Sequence, residues 1–299
     1  MLSVRDMRVA SYDLDYLDIF WEISPTFDDV HDYTFTVERS TATLGPYEHL
    51  AGPFSDKYHL KDTTVKGQHS FYTKFYYRLK IVRLSDSKTT YFPADGEGGV
   101  SLGAAPDLMA LEMARITRYK LKEHAGRELW IYPRKRTGQR CSCYDVTMSR
   151  KMRTGCLTCY DTSWVGGYDT PFKVWGNVFD PTEATMKTHV GEFNNENTMV
   201  RLPNFPEVFP GWVIIEAENI RWRVGNQNNT SNKTEKGRAL IRQDMPIHRI
   251  PKGDIEYSLP VVVDDLSNVQ ASPPRNFTNP QNKTVDRTLD SALSFFMKD

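Results

Sequence analysis

The segment 141–159 reads CSCYDVTMSRKMRTGCLTC and holds all four cysteines of the 299-residue chain. These are Cys141, Cys143, Cys156 and Cys159. One residue separates Cys141 from Cys143, and two residues separate Cys156 from Cys159. The second pair has the spacing of a standard zinc knuckle, and the first pair is tighter. Two close pairs can converge on one tetrahedral Zn²⁺. Because four thiolates fill the coordination shell, we predict a structural zinc site rather than a catalytic one.

Disulfide bonds are the alternative use of these cysteines. The N-terminus lacks the apolar stretch of a signal peptide, and no run of about 18 apolar residues predicts a transmembrane helix. We therefore expect synthesis in the cytoplasm, where thiols stay reduced, and this favours metal over disulfides. If one cysteine does not bind the metal, His124 and His189 are the candidate replacements.

Basic residues crowd the same region, and we call this set the basic collar. It comprises Arg134, Lys135, Arg136, Arg140, Arg150, Lys151 and Arg153. Such a surface can contact phosphate or an acidic protein, or it can be a solvated or intersubunit face. The formal net charge of the chain is zero, which argues against a dedicated nucleic-acid binder.

Short segments of alternating polarity predict β-strands throughout residues 1–93. Tyr33, Phe35 and Val37 fall on one face of a predicted strand. A longer run at 71–84 places a second apolar set on one face. That set is Phe75, Tyr77, Leu79 and Ile81. Strands at this spacing, with no helical period among them, favour a small β-sandwich.

Four features of this region together resemble a fibronectin type III domain, over roughly residues 5 to 93. They are Trp21 in an early strand, the strand Thr34–Glu38, the turn Gly45–Glu48 and the segment Tyr76–Leu79. The resemblance implies a spacer or adhesion module. At the position of the family's corner tyrosine the chain has Phe75, which lacks the hydroxyl. We expect Trp21 and Tyr77 to be core residues.

Residues 94–127 are predicted to form a Gly-rich linker and an amphipathic helix. The helix is expected at 106–125, with Gly126 as its stop. Its apolar stripe consists of Met109, Met113, Ile116 and Tyr119. We expect this stripe to pack against the rest of the protein, because most such stripes face a core. The alternative is a free face for a partner.

Two further β-segments follow the helix. Residues 128–180 are predicted to form a zinc-ribbon-like segment, and residues 181–263 a second small β-domain. The predicted strands are 128–132, 172–179, 212–216, 220–224, 238–242 and 257–263. Residues 226–236 are expected to form a polar hairpin loop.

The C-terminal residues 264–299 predict an extended polar arm that ends in a short helix at 285–297. The helix has an apolar stripe of its own: Val285, Leu289, Ala292, Leu293 and Phe296. A short helix cannot bury such a stripe alone, so it has to dock on its own body or on a neighbour.

Several motifs in about residues 205–262 resemble the small β-domain of tailed-phage neck proteins, the head–tail connectors and head-closure proteins. They are Gly211–Glu216, Ile220–Val224, Arg238–Gln243 and Ile250–Pro260. The preceding cysteine segment resembles an insert of phage virion proteins. The resemblance implies a ring-forming structural protein beneath the portal, lining a channel for DNA. The implied subunit or DNA contacts are Arg221, Arg223, Arg238 and Arg242.

Together these features predict a mainly β, non-enzymatic virion protein, since no catalytic motif is present. We expect it to be made in the host cytoplasm and to form a homo-oligomeric ring in the phage neck. Its neighbours would be portal or adaptor proteins and tail proteins, with DNA in the channel and no membrane contact. A tail or baseplate component is one alternative, and a zinc-ribbon nucleic-acid-binding protein is another.

Overall fold

The computed structural model describes residues 2–68, 73–179, 182–188, 191–225, 232–236 and 239–261. Residues 1–260 form one compact unit of the chain. The predicted arm and terminal helix at 264–299 lie outside the described residues. None of the described helices is both long and apolar enough to cross a membrane.

Eight antiparallel strands form two sheets in residues 4–101. They are β1 (Val4–Ala10), β2 (Leu17–Ile23), β3 (Tyr33–Ser40), β4 (Glu48–Phe54), β5 (His59–Asp62), β6 (Tyr76–Arg83), β7 (Thr89–Phe92) and β8 (Val100–Ser101). One sheet has the order β1-β2-β5. The other has the order β4-β3-β6-β7, and β8 also pairs with β6.

A single apolar core is shared by the two sheets. Trp21 of β2 and Phe35 of β3 lie with ring centroids 6.2 Å apart, which brings the sheets face to face. Trp21 and Tyr77 are both buried, so their predicted core role is confirmed. The two predicted apolar faces, on β3 and β6, also lie in this core.

One buried carboxylate, Asp62 at the end of β5, ties the two sheets together. Its Oδ2 atom accepts a hydrogen bond from the Tyr77 hydroxyl and pairs with Arg39, both at 2.9 Å. Burial favours the neutral acid, but hydrogen bonds from Thr64 and Tyr77 and the charge of Arg39 hold the pKa of Asp62 below its usual value. Tyr77 is on β6 and Arg39 on β3, so the contact bridges the sandwich.

Helix α1 (Leu108–Lys120) follows β8 and runs into a π-helical turn at Leu121–Ala125. The Asp107 carboxylate caps it by accepting a hydrogen bond from the Ala110 N–H at 3.1 Å. The predicted helix at 106–125 is therefore confirmed in outline. Gly126 follows this turn in extended backbone, and a Cβ there would lie 2.2 Å from the Leu121 carbonyl oxygen, so this close approach requires glycine.

Ten more strands follow α1 in the described part of the chain. They are β9 (Arg127–Tyr132), β10 (Tyr144–Asp145), β11 (Arg150–Lys151), β12 (Phe172–Val178), β13 (Thr182–Thr188), β14 (Gly191–Pro203), β15 (Val213–Glu216), β16 (Ile220–Val224), β17 (Asn232–Lys236) and β18 (Ala239–Arg249). Six of them form an antiparallel, barrel-like sheet in the order β12-β9-β15-β16-β18-β14, and β14 pairs back to β12. Its buried side chains include Ile131, Val200 and Met245.

The cysteine segment is an excursion from this sheet. Strands β9 and β12 flank it and pair with each other, with Ile131 opposite Phe172. The segments predicted as 128–180 and 181–263 therefore share one sheet, and only the residues between β9 and β12 leave it. Local sequence patterns could not indicate this, because the pairings that close the sheet join distant parts of the chain.

Two hairpins extend beyond the barrel-like sheet. Residues 182–188 pair with 191–197, and β14 begins to pair with β18 only at Asn197. Strand β17 pairs with β18 on that strand's other edge. The predicted polar loop at 226–236 is therefore wrong for 232–236, and residues 226–231 lie outside the described part.

The strand predicted at 257–263 is also wrong for residues 257–261, and residues 262 and 263 lie outside the described part. The Asp254 carboxylate accepts a hydrogen bond from the Ile255 N–H at 2.7 Å and starts a 3₁₀ turn at Ile255–Ser258. An N-cap of this kind overrides the preference of the following apolar residues for a strand.

The predicted orientation of α1 is wrong as well. The residues buried on the body are Ala110, Leu111, Ala114 and, in the following turn, Leu121. The stripe expected to face the core is exposed instead: Met109 at 60%, Met113 at 42%, Ile116 at 43% and Tyr119 at 60%. Two alanines let the helix approach β18 and β14 closely, which the larger side chains of the stripe would prevent.

Candidate metal centre

Two turns hold the four cysteines. Cys141 and Cys143 lie just before β10, where the Tyr144 N–H donates to the Cys141 carbonyl at 3.0 Å. Cys156 and Cys159 follow β11 in a knuckle, where the Thr162 N–H donates to the Cys159 carbonyl at 2.9 Å. The short β10–β11 hairpin places the two turns side by side.

The four sulfur atoms form one buried cluster. All lie within 4.8 Å of one another, with 3.8 Å from Cys141 to Cys156 and 3.4 Å from Cys143 to Cys159. These distances are far longer than the roughly 2.05 Å of a disulfide, and all four thiols are free. Zn–S bonds of about 2.3 Å in a tetrahedron place the sulfurs about 3.8 Å apart. The cluster is therefore compatible with a zinc site.

The thiols differ in acidity. Burial, and hydrogen bonds that the Cys143 thiol donates to Cys159 and Cys141, raise the pKa of Cys143. Burial also acts against ionisation of Cys156, but the backbone N–H groups of Thr158 and Cys159 lower the pKa of Cys156 to about 6. Since a thiolate is the form that binds a metal, the knuckle supplies a ligand that ionises readily.

Few apolar side chains pack directly against the sulfur cluster. Besides the cysteines themselves, Val165 is the partly buried apolar residue that does so, while Trp164 and Tyr168 are buried elsewhere in the same loop. A cluster with so little apolar packing around it needs another source of stability, and the chemistry of the donor set fits a metal.

Asp161 holds the backbone at the start of the Cys156–Cys159 knuckle, and this residue was not identified from the sequence. Its carboxylate accepts hydrogen bonds from the N–H groups of Gly155 at 3.1 Å and Cys156 at 3.2 Å. Burial opposes its ionisation, but these donors and Lys151, 3.7 Å away, hold the pKa of Asp161 below its usual value. The signal that could have identified it is its position in the sequence, two residues after the Cys-x-x-Cys pair.

Gly167 is a second residue that sequence reasoning missed. It has φ +69°, and a Cβ atom there would lie 2.7 Å from the Cys159 carbonyl oxygen and 2.9 Å from the Tyr160 ring. Its N–H donates to the Trp164 carbonyl, and its own carbonyl accepts from the Lys135 N–H at 3.0 Å. Only glycine fits this conformation and this close approach.

The metal module, residues 133–171, also forms hydrogen bonds with the N-terminal sandwich. The Thr137 hydroxyl accepts a hydrogen bond from the Ile23 N–H at 2.7 Å and donates one to the Ile23 carbonyl at 2.6 Å. The Arg140 N–H donates to the Thr26 carbonyl at 2.7 Å. These contacts make the module one link between the sandwich and the barrel-like sheet, beside direct contacts such as the ring of His59 on β5 against that of Phe172 on β12 at 5.5 Å.

A buried ion pair strengthens this link. Lys135, whose side chain is 6% exposed, lies 2.7 Å from the Asp56 carboxylate in the sandwich. Nearby, burial raises the pKa of Asp169 to about 6, although the charge of Lys135 opposes the shift. The neighbouring Tyr168 hydroxyl donates a hydrogen bond to the carboxylate of Glu256, in the 3₁₀ turn after β18, at 3.3 Å.

The basic collar therefore does not form a single surface. Lys135 is buried, the Arg136 guanidinium lies 4.6 Å from the Phe209 ring, and Arg140 lies 3.7 Å from the Trp164 ring. Arg134 has an exposed side chain, and its backbone bridges to Tyr168. The first half of the collar thus largely serves contacts within the chain.

The second half of the collar lies at the exposed end of the module. Lys151 pairs with Asp161, whereas Arg150 and Arg153 are exposed and form no ion pair within the described part of the chain. Large apolar side chains are exposed at the same end, each by about 60%: Val146, Met148, Met152 and Leu157. We call these four residues with Arg150 and Arg153 the module tip.

The arginines implied by the neck-protein resemblance are mostly engaged within the chain. Arg221 is 2% exposed and donates to the Leu259 carbonyl at 3.1 Å, so its assignment as a surface contact is wrong. Arg223 pairs with Asp254 at 3.0 Å, and Arg242 lies 3.6 Å from Asp244. Arg238 lies outside the described residues.

One of the two alternative histidines, His124, does not lie at the cluster. It lies in the π-helical turn after α1, with its ring 5.9 Å from that of Tyr119. His189 lies outside the described residues. Among the described residues, cysteines alone make up the cluster.

No family model matches the sequence, and neither does any curated protein. The role of the metal centre is therefore inferred from its chemistry and its position in the fold.

Proposed function

We propose that this protein is a structural virion component of a tailed phage that forms a ring in the neck, with DNA passing through. The observation that carries this proposal is the β13–β14 hairpin, which extends beyond the barrel-like sheet by residues 182–196. An isolated two-stranded hairpin is marginally stable in water, so such an extension gains stability by packing on another surface. Ring assembly provides that surface at every subunit.

The N-terminal sandwich supports a spacer role within that proposal. Its strand orders, β1-β2-β5 facing β4-β3-β6-β7, agree with a fibronectin type III-like arrangement. In this proposal the sandwich decorates the outside of the ring and has no catalytic role.

The proposed cofactor is one structural Zn²⁺ per chain. The four cysteines would bind it as thiolates, and the metal would hold a loop that lacks a sufficient core. The metal would also keep Thr137 and Lys135 in place, so it would stabilise the link to the sandwich. Metal analysis of protein made under reducing conditions should find about one Zn per chain. A folded but metal-free protein would refute the assignment.

A nucleic-acid-binding role is the second candidate, because Arg150 and Arg153 are exposed and form no ion pair with the residues that the structure describes. The four exposed apolar side chains of the module tip fit a protein contact better than a phosphate backbone. Fluorescence anisotropy of the full chain with a short labelled DNA discriminates the two roles. Binding at low salt that the double variant Arg150→Ala/Arg153→Ala abolishes would favour this candidate, and absence of binding would remove it.

Electron microscopy and native mass spectrometry of the purified full chain test the proposed ring. We expect a closed oligomer with a central hole. A protein that stays monomeric at every concentration tested would contradict the ring in the neck. A solid or filamentous assembly would favour the alternative of a tail or baseplate component.

A further inference from the structure

Helix α1 is apolar on two opposite faces. At about 100° per residue, Ala110, Leu111 and Ala114 form one face, which is buried on the body. The opposite face carries Met109, Met113 and Ile116, and its edge continues to two more exposed residues. These are Leu108 at 53% and Tyr119 at 60% exposure. We call these five exposed residues the α1 stripe.

The α1 stripe has the composition of an interface. A helix that is apolar on both sides is normally buried on both sides. Methionine and tyrosine are enriched in protein contacts, and a charged rim is typical around them. Here the rim is formed by the Glu112–Arg115 ion pair at 2.7 Å and by Lys120, which is exposed. A contiguous exposed set of this kind marks a site for a partner.

The chain itself contains a segment that matches this face. Its sequence continues for 38 residues beyond 261, and the predicted terminal helix at 285–297 shares part of the spacing of the α1 stripe. Val285, Leu289 and Ala292 are spaced as Met109, Met113 and Ile116 are, and each pattern then continues with an aromatic residue, Phe296 and Tyr119. Two helices with one stripe each can bury both by packing together.

Charge favours an antiparallel arrangement of the two segments. Asp286 and Asp290 lie near the start of the terminal segment, and Lys298 follows its end. Antiparallel packing brings the two aspartates to the half of α1 that carries Lys120, and brings Lys298 towards Glu112. Residues 262–284 can span up to about 75 Å when extended, so the segment can reach a neighbouring molecule.

We propose that the α1 stripe of one copy binds the terminal segment 285–297 of a neighbouring copy. This inference rests on the proposed ring, because a ring needs heterologous contacts in which each subunit offers a different surface to each neighbour. It assigns the two halves of that contact to Met113 and Ile116 on α1 and to Leu289 and Phe296 on the arm.

The test uses the full chain with a photo-crosslinking amino acid in place of Tyr119. Unlabelled and ¹⁵N-labelled chains are mixed, crosslinked and digested, and the crosslinked peptides are identified by mass spectrometry. We expect peptides from 285–297 joined to α1 with mixed isotope labels. Crosslinks within one isotope label only would place the segment on its own chain and overturn the inter-copy contact. Crosslinks to other regions would overturn the pairing itself.

Single variants separate this inference from the proposed ring. Ile116→Glu and Leu289→Glu should each weaken association by about 30-fold or more, the size of an interface hot spot. Leu44→Glu is the matched control, because Leu44 is 72% exposed and lies in the loop between β3 and β4 of the sandwich. A ring that forms unchanged in both stripe variants would refute the pairing and leave the ring standing. A wild-type chain that is monomeric would refute the ring first.

Discussion

Alanine at Gly167 tests whether the knuckle geometry depends on close backbone contact. The residue has φ +69°, which costs an L-residue about 1–2 kcal/mol. The new Cβ atom would also lie 2.7 Å from the Cys159 carbonyl oxygen, below the 3.4 Å of ordinary contact. Relieving such an overlap costs about 1–3 kcal/mol more. We therefore expect Gly167→Ala to lower the free energy of unfolding by about 2–5 kcal/mol in total.

Gly155→Ala is the matched control for this prediction. Gly155 has φ +75° in the same module, but a Cβ atom there meets no atom within 4 Å. The Gly155→Ala variant should lose only the part of the free energy of unfolding that comes from the positive φ, about 1–2 kcal/mol. Urea unfolding gives both free energies, and transfer of zinc to a colorimetric chelator reports the state of the cluster. Equal losses in the two variants, with equal zinc transfer rates, would refute the reasoning about Cys159.

The remaining predictions concern the cluster, the link and the sandwich. Cys159→Ser should reduce the zinc content from about one per chain to near zero and expose residues 133–171 to hydrogen exchange, and unchanged zinc content would contradict the four-cysteine site. Lys135→Met should lower the free energy of unfolding by about 3–5 kcal/mol, measured by urea unfolding, because it leaves the Asp56 carboxylate without its buried partner. Double replacement of Lys135 and Asp56 by Met and Leu should cost less than Lys135→Met alone. Asp62→Asn should cost about 1–3 kcal/mol at pH 7, because the carboxylate loses charged hydrogen bonds. The folded-state pKa of Asp62 is lowered, so its contribution is complete above the unfolded pKa near 4 and fades as pH falls further; a loss just as large at pH 3 would contradict this.

The sandwich and the cysteine cluster could be predicted because both are encoded locally. Alternation at Tyr33, Phe35 and Val37 follows from the two-residue period of a strand, and the structure buries all three. The cysteine spacing indicated convergence because short turns leave few ways to separate the thiols. In both cases neighbours in sequence determine neighbours in space.

The barrel-like sheet and the orientation of α1 could not be predicted in this way. Closure of the sheet depends on pairing β14 with both β12 and β18, and the residues so joined are up to about fifty positions apart. On α1 the larger apolar side chains at Met109 and Met113 suggested the core face. The fold instead uses Ala110 and Ala114, because a helix lying close against strands needs small side chains at the contact.

The insertion of the metal module between β9 and β12 has a consequence for how this chain can change. Ile131 and Phe172 are cross-strand partners, so the two ends of the insert are held about 5 Å apart whatever lies between them. A short turn could bridge the same gap. Residues 133–171 therefore form an insertion that can be exchanged, shortened or replaced by another module while β9 and β12 keep their pairing register.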